Sequence, residues 1–318
     1  MVQIGINIIP VMPVEEILQL IKAAEEIGYD YCLLADEGLT ADVYAILAIA
    51  ARETKHIRIG PVTNGYTRHP AVTAAAMATL NELAKDRTVL VMVAGGSVVL
   101  DTFGIKREVP LTVVRESMDI CRRLWSGEKV DWQGSRFTLA NAQLEMGRQD
   151  IPIWIAGRGE KILELAGKEA DGVLLMVKPD IGPALEIIDR YENKPLRIYM
   201  DRIAYTESMI NDATRIFPYV LKDTPERQLR GFLSEAEILQ IRNAESEGGA
   251  EAVGKIITSE MIKRYKVAGT PQECHQMIDE MVKTQRLDAF ILNITTAGLD
   301  KNIQMLKDVK SIIEGSAL

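Results

Sequence analysis

The run Ala156-Gly157-Arg158-Gly159-Glu160 joins an apolar stretch to a segment of helical period. Glycines at such a junction let backbone N–H groups at a helix N-terminus come close to a phosphate. The run is not a dinucleotide fingerprint, because Ile162 stands where the third glycine of G-x-G-x-x-G belongs, and it is not a P-loop, because no G-K-[ST] follows. A Gly-x-Gly turn is also plain loop geometry; Lys178, after the next apolar run, is the cation that would complete a phosphate cradle. Asn7 interrupts Ile4-Gly5-Ile6-Asn7-Ile8-Ile9, so its amide either faces an open cavity or takes a buried hydrogen-bond partner. Asp36 and Glu37 are adjacent, and in an extended segment they point to opposite sides and do not act on one atom. Asp36 can equally start the next helix. Other polar groups directly follow apolar runs: Thr63-Asn64-Gly65-Tyr66-Thr67-Arg68-His69, Gly95-Gly96-Ser97 and Tyr205.

Several chemistries have no candidate. His56, His69 and His275 are scattered, and nothing has metal-ligand spacing. Cys32, Cys121 and Cys274 are odd in number and far apart, which reads as reduced thiols without a framework role. No Ser sits in G-x-S-x-G and no Cys has a partnered His, so nucleophilic catalysis is not indicated. Polar groups without a nucleophile or a metal set suit an enzyme whose bound cofactor carries the reaction.

Short β-rich apolar runs alternate with longer segments in which apolar residues recur every three or four positions. Strands are expected near 2–9, 30–35, 56–62, 88–94, 152–156, 172–177, 196–204 and 288–293, and helices near 13–28, 41–54, 70–84, 110–126, 160–169, 181–192, 207–220 and 299–314. Eight such units fit a (β/α)8 TIM barrel, an α/β fold that carries its active site at the carboxyl ends of its strands. Two segments break the pattern. Residues 127–148 read as a hairpin around Gly134-Ser135 inserted before the fifth strand, and residues 222–286 as a polar, helical insertion before the eighth. No Gly/Ser/Pro-rich linker divides the chain, so residues 1–318 are expected to form one domain.

The chain has 318 residues, 47% hydrophobic and 26% charged, an ordinary globular composition that can bury a large core. Its net charge is −8 and no Lys/Arg cluster exceeds short pairs such as Arg122-Arg123, which argues against nucleic acid and for a small-molecule partner. No apolar run reaches the ~18 residues of a membrane span, and the N-terminus enters a strand-like segment with no signal-peptide pattern, so a cytoplasmic location is expected.

Longer stretches carry a resemblance. Tyr31-Cys32-Leu33-Leu34-Ala35-Asp36-Glu37, the run from Ile59 to Thr73, Ala78-Thr79-Leu80-Asn81-Glu82-Leu83 and Ala94-Gly95-Gly96-Ser97 resemble the bacterial luciferase-like superfamily. So do Phe103-Gly104-Ile105-Lys106-Arg107-Glu108, Arg122-Arg123-Leu124-Trp125-Ser126-Gly127-Glu128, Pro152-Ile153-Trp154-Ile155-Ala156-Gly157 and Glu164-Leu165-Ala166-Gly167. These matches span 28–177, while the last third matches only through Ala268-Gly269-Thr270-Pro271. The nearest branch is similar to the methylenetetrahydromethanopterin reductases, which use the deazaflavin coenzyme F420. The resemblance implies a flavin or deazaflavin held over a bulge in the third strand, mapping to Pro61, Val62 and Thr63, with a non-prolyl cis bond between Pro61 and Val62 and with Asn64 as a further cofactor-binding candidate. It implies cofactor phosphate near Gly157, Arg158, Gly159 and Lys178, pocket walls at Gly95, Gly96 and Ser97, and Asp36 near the ring system. The reductase pattern has Glu where this chain has Asn7, His where it has Glu37, and one more residue in the bulge. Asn7, Asp36 and Glu37 are therefore the catalytic candidates.

The activity so implied is hydride transfer between F420 and a small organic substrate. The alternatives are an FMN-dependent monooxygenase and a catalytically silent flavin-binding protein. The resemblance further implies homodimers packed through the early helices at 41–54 and 70–84.

Overall fold

Parallel strands covered on both faces read as continuous apolar runs. Tyr31-Cys32-Leu33-Leu34-Ala35 is buried throughout, yet its side chains still alternate: Tyr31 and Leu33 point into one core, Cys32 and Leu34 into another. The computed structural model describes residues 2–222, 224 and 226–316, with residues 97, 98, 222 and 227 described by backbone alone. Among the described residues eight parallel strands close a barrel: β1 (Gln3–Ile8), β2 (Tyr31–Ala35), β3 (Arg58–Thr63), β4 (Leu90–Val93), β5 (Ile153–Ala156), β6 (Gly172–Leu175), β7 (Leu196–Asp201) and β8 (Ala289–Ile294). Each strand pairs with its sequence neighbours, and β1 closes on β8 with Asn7 opposite Asn293.

The alternation makes two cores. Inside the barrel, Tyr31, Leu33, Val91, Trp154, Leu174, Ile198 and Ile291 fill the axis, with the Tyr31 and Trp154 rings edge to face at 5.0 Å. Outside, Cys32, Leu34, Ile59 and Leu292 meet apolar helix faces such as Ile17, Leu20 and Ile21. Helix starts carry the expected chemistry: Asp42 accepts from the Tyr44 and Ala45 N–H groups, and Thr270 with Glu273 forms a capping box.

The expected hairpin is present as two antiparallel strands, Val130–Gln133 and Thr138–Ala142. Glu116 on helix Pro110–Trp125 holds its turn, accepting from the N–H groups of Ser135, Arg136 and Phe137 at 2.7, 3.1 and 3.0 Å and from the Ser135 hydroxyl at 2.9 Å.

The block before β8 divides differently from the expectation. Helix Glu207–Lys222 does not cover the barrel; it packs on helices Glu235–Gly254 and Ser259–Tyr265 around a separate core of Phe217, Leu221, Phe232, Ile241 and Ile262. The seventh barrel helix is Pro271–Gln285, whose Cys274 and Ile278 join the outer barrel core. An amphipathic period shows that a helix has a buried face without showing which surface it covers. The insertion thus spans 205–268, and its ends meet where Ala204 bridges Ala268.

Candidate active site

Four partly buried apolar side chains, Val62, Val93, Met176 and Met200, top the interior core at the carboxyl ends of β3, β4, β6 and β7. They form an apolar floor. Beside it a cavity of about 680 Å³ opens under helix Glu207–Lys222, lined by Met176, Met200, Phe217 and Met305 together with Arg202 and Asn293.

Asn7 is 4% exposed; its Nδ2 donates to Asn293 Oδ1 at 2.8 Å, while its own Oδ1 is buried without a protein partner. Such an orphaned acceptor costs free energy unless something else donates to it. Asp36 follows β2, and its Oδ2 accepts from the Thr63 hydroxyl at 2.8 Å. Glu37 stands at the rim: burial of its carboxyl raises its pKa, and the positive charge of Arg202 opposes the rise.

The remaining residues divide. Asn64 is 3% exposed and its Oδ1 accepts from the Tyr66 and Thr67 N–H groups at 2.8 and 3.0 Å, so its carboxamide is occupied in shaping the loop after β3. Gly95 has φ +77°, which places it where a side chain is strained, and Gly96 is the N-cap of helix Ser97–Thr102; the Ser97 side chain lies outside the described residues. Gly157 is a packing glycine, since a Cβ there would lie 2.6 Å from the Ile162 side chain. Gly159 faces open space as the N-cap of helix Glu160–Glu169 and leaves that helix's first N–H groups uncapped by a side chain. Arg158 is exposed, and its charge reaches Tyr265 on the cavity wall, lowering a phenol pKa that burial raises. Lys178 turns toward the insertion, where its ammonium donates to the Lys263 carbonyl, and lies 3.9 Å from the sulfur of Met277 on the barrel helix Pro271–Gln285. Burial lowers its pKa, against the charge of Asp201.

One expectation fails. Among the described residues no peptide bond is cis, so the Pro61–Val62 bond is trans. Here β3 is regular, with Pro61 and Val62 opposite Leu34 and Ala35 of β2 and Val62 and Thr63 opposite Val91 and Met92 of β4. No residue is left over to form the bulge, and extended backbone in that register is satisfied by trans bonds.

Asn293, Arg202 and Asp201 are passed over in the sequence reading. Asn293 carries the same signal as Asn7, an amide inside the run Phe290-Ile291-Leu292-Asn293-Ile294. Asp201 ends β7 and accepts from the Tyr199 hydroxyl at 2.9 Å and the Val267 N–H at 2.8 Å, tying β7 to the end of the insertion.

Known proteins are similar to this chain. The chain is 34% identical over 297 residues to the 5,10-methylenetetrahydromethanopterin reductase of Archaeoglobus fulgidus, covering 88% of this chain and 90% of that one. It is 25% identical over 281 residues to the F420-dependent glucose-6-phosphate dehydrogenase of Amycolatopsis mediterranei, covering 81% and 82%. Among solved structures, the F420-dependent tetrahydromethanopterin reductase of Methanopyrus kandleri superposes with TM-score 0.86 at 22% identity over 99% of both chains, which shows the shared fold. The model of luciferase-like monooxygenases matches residues 3–286, which takes in the whole barrel up to β8 and the insertion above it. On that match, together with the reductase identity over most of its length, the chain belongs to the luciferase-like monooxygenase family.

Proposed function

We propose that the chain is an F420-dependent oxidoreductase that moves a hydride between the deazaflavin and a small organic substrate. The observation that carries the reading is the barrel mouth: an apolar floor of Val62, Val93, Met176 and Met200 beside a buried, unpaired Asn7 Oδ1 and a cavity of about 680 Å³. Among the described residues no group of His, Cys, Asp and Glu could hold a metal ion, and the three cysteines are buried. The names of the relatives at 34% and 25% identity support the cofactor.

A planar ring system fits such a floor, with Gly95 and Gly96 as one wall. Its phosphate fits the uncapped N–H groups after Gly159, with Arg158 beside them, while Lys178 on the neighbouring loop joins them only by releasing the Lys263 carbonyl. When bound, the deazaflavin supplies a hydride-accepting and hydride-donating carbon. This chain's residues do the rest. Val62 and its neighbours exclude water from one side, Thr63 fixes Asp36, Asn7 Oδ1 accepts a hydrogen bond from whatever lies over the floor, and Glu37, its pKa raised by burial, is the titratable group at the rim. We further assign the chain one domain, a cytoplasmic location and homodimers through helices Val43–Glu53 and Pro70–Ala84, where Ile49 and Val72 are 43% and 53% exposed.

Titration of the purified chain with F420 and with FMN, read by quenching of tryptophan fluorescence, tests the cofactor. Preferred binding of F420 and its reduction by a turned-over substrate are expected. Preferred binding of FMN with oxygen consumption would replace this reading by the monooxygenase one, and binding without any turnover by a silent binder.

A further inference from the structure

The chain carries a net charge of −8, yet the cavity of about 680 Å³ at the barrel mouth is lined by four cations, Arg202, Arg215, Lys266 and Lys301, against two carboxylates, Asp201 and Asp212. The carboxylates are already engaged. Lys266 Nζ lies 3.4 Å from Asp201, whose side chain is 9% exposed, and Arg215 is paired with Asp212 on its own helix. Arg202 and Lys301 make no ion pair and no side-chain hydrogen bond with any described residue. Two cations held by no ion pair therefore share the rim, Arg202 within the field of Asp201 and Glu37 and Lys301 apart from it, beside apolar lining from Met200, Ile216, Phe217 and Met305.

Their placement makes the excess more pointed. Arg202 directly follows β7, and Lys301 lies in the first turn of helix Leu299–Glu314, just after β8. That helix starts at Gly298 with no side-chain cap, and a helix dipole disfavours a cation at this end while favouring an anion beside it. Loops after the seventh and eighth strands of a barrel, next to a helix N-terminus, are a recurring place for anionic groups of substrates. Thr295 and Thr296 add hydroxyls on the same side.

We propose that Arg202 and Lys301 hold the charged end of the substrate, and that the substrate is an organic anion whose apolar body lies along Met200, Ile216, Phe217 and Met305. The assignment rests on reading the barrel mouth as the reaction site and names the class of molecule that enters it. The reacting part then lies toward Met176, Met200 and Asn293, and the anion toward solvent at the rim.

Calorimetric titration of the full chain, with and without F420, tests this with hexyl phosphate and heptanoate as amphiphilic anions, hexanol as the uncharged body and inorganic phosphate as the bodiless anion. At least one amphiphilic anion should bind about tenfold more tightly than hexanol and inorganic phosphate. Heptanoate ahead assigns a carboxylate, hexyl phosphate ahead a phosphate. R202Q and K301Q should each weaken that anion about tenfold and leave hexanol and F420 affinity unchanged, whereas K283Q, on the barrel's outer helix, should change nothing. Equal binding of hexanol and both anions overturns the proposal. So does loss of F420 affinity in R202Q or K301Q with anion affinity intact, which would give the two cations to the cofactor. Failure of the unaltered chain to bind F420, with hexyl phosphate still held through Arg202, sinks the cofactor reading and leaves the anion site standing.

Discussion

Asn7 and Asn293 stand opposite one another across the seam that closes the barrel, and Asn7 Nδ2 donates to Asn293 Oδ1 at 2.8 Å. Asn293→Val removes the one protein partner of a side chain that is 4% exposed, so it should cost about 1–3 kcal/mol in urea denaturation. The double variant Asn7→Val, Asn293→Val removes both amides and should be more stable than Asn293→Val alone, a negative coupling in the double-mutant cycle. Additive losses would show that the two amides do not support each other. Turnover of the double variant should fall at least about tenfold, because the Asn7 Oδ1 that accepts from a bound molecule is gone.

Glu37 gives the reaction a pH signature. Burial raises its carboxyl pKa above the ordinary 4.5 and Arg202 pulls it down. The acidic limb of the pH–rate profile should lie above that value and move further up in Arg202→Gln, since removing a positive charge favours the protonated acid. A limb that stays in place in Arg202→Gln and in Glu37→Gln would take Glu37 out of the chemistry.

Gly157 and Gly159 should part company. A Cβ at Gly157 meets Ile162 at 2.6 Å, so Gly157→Ala should lower the melting temperature by several degrees, whereas Gly159→Ala meets nothing within 4 Å and should melt like the parent. Gly159→Asp puts a capping carboxylate on N–H groups assigned to a phosphate and should weaken F420 binding about tenfold while the melting temperature holds or rises. Unaltered F420 affinity would place the phosphate elsewhere.

Glu116 controls stability in acid. Burial pushes its pKa up, and four hydrogen bonds from the hairpin turn overcome this and leave it below the ordinary 4.5. A carboxyl depressed on folding stabilises fully above its unfolded pKa, and that contribution is lost as pH falls through the lower folded value. Glu116→Gln should therefore be less stable than the parent by about 2 kcal/mol at neutral pH, with the gap closing below pH 4.5. A gap independent of pH would assign the loss to shape alone.

Ile49→Glu with Val72→Glu should convert the assigned dimer into a 35.3 kDa monomer in sedimentation without unfolding it, both side chains being exposed in the single chain. A monomer already in the parent protein would remove the interface.

Strand positions are legible because fully buried parallel strands appear as short β-rich apolar runs, as in Tyr31-Cys32-Leu33-Leu34, and because polar residues such as Asn7 break those runs conspicuously; which side chain faces which core appears only in the fold. A rule that looks beyond each apolar run finds Asp36, Gly95 and Lys178 but passes over Asn293, which sits inside one. Arg202 and Lys301 are about a hundred positions apart and each reads alone as a solvated charge; only closure of the barrel puts them on one rim. The helix Glu207–Lys222 is misplaced from sequence for a related reason: its apolar face fits a barrel wall or a neighbouring helix equally well, and long-range packing on Phe232 and Ile262 decides.

The bridge between Ala204 and Ala268 gives the molecule a modular design. The Ala204 N–H donates to the Val267 carbonyl at 3.0 Å and the Gly269 N–H to the Ala204 carbonyl at 3.0 Å, so the chain leaves the barrel and returns to it at a single doorway. The helices between share a core of their own, while Tyr205 and Val267 at the two ends pack into the barrel's outer core. Such a cassette can be exchanged between barrels, or replaced by a short turn, without re-registering a strand. Its Phe217, Arg215 and Tyr265 would travel with it as half of the cavity wall, while Asn7, Asp36 and Val62 stay behind. Natural recombination at that doorway can alter which molecule enters while leaving the reacting floor untouched, and a laboratory chimera joined at 204 and 268 inherits the same freedom.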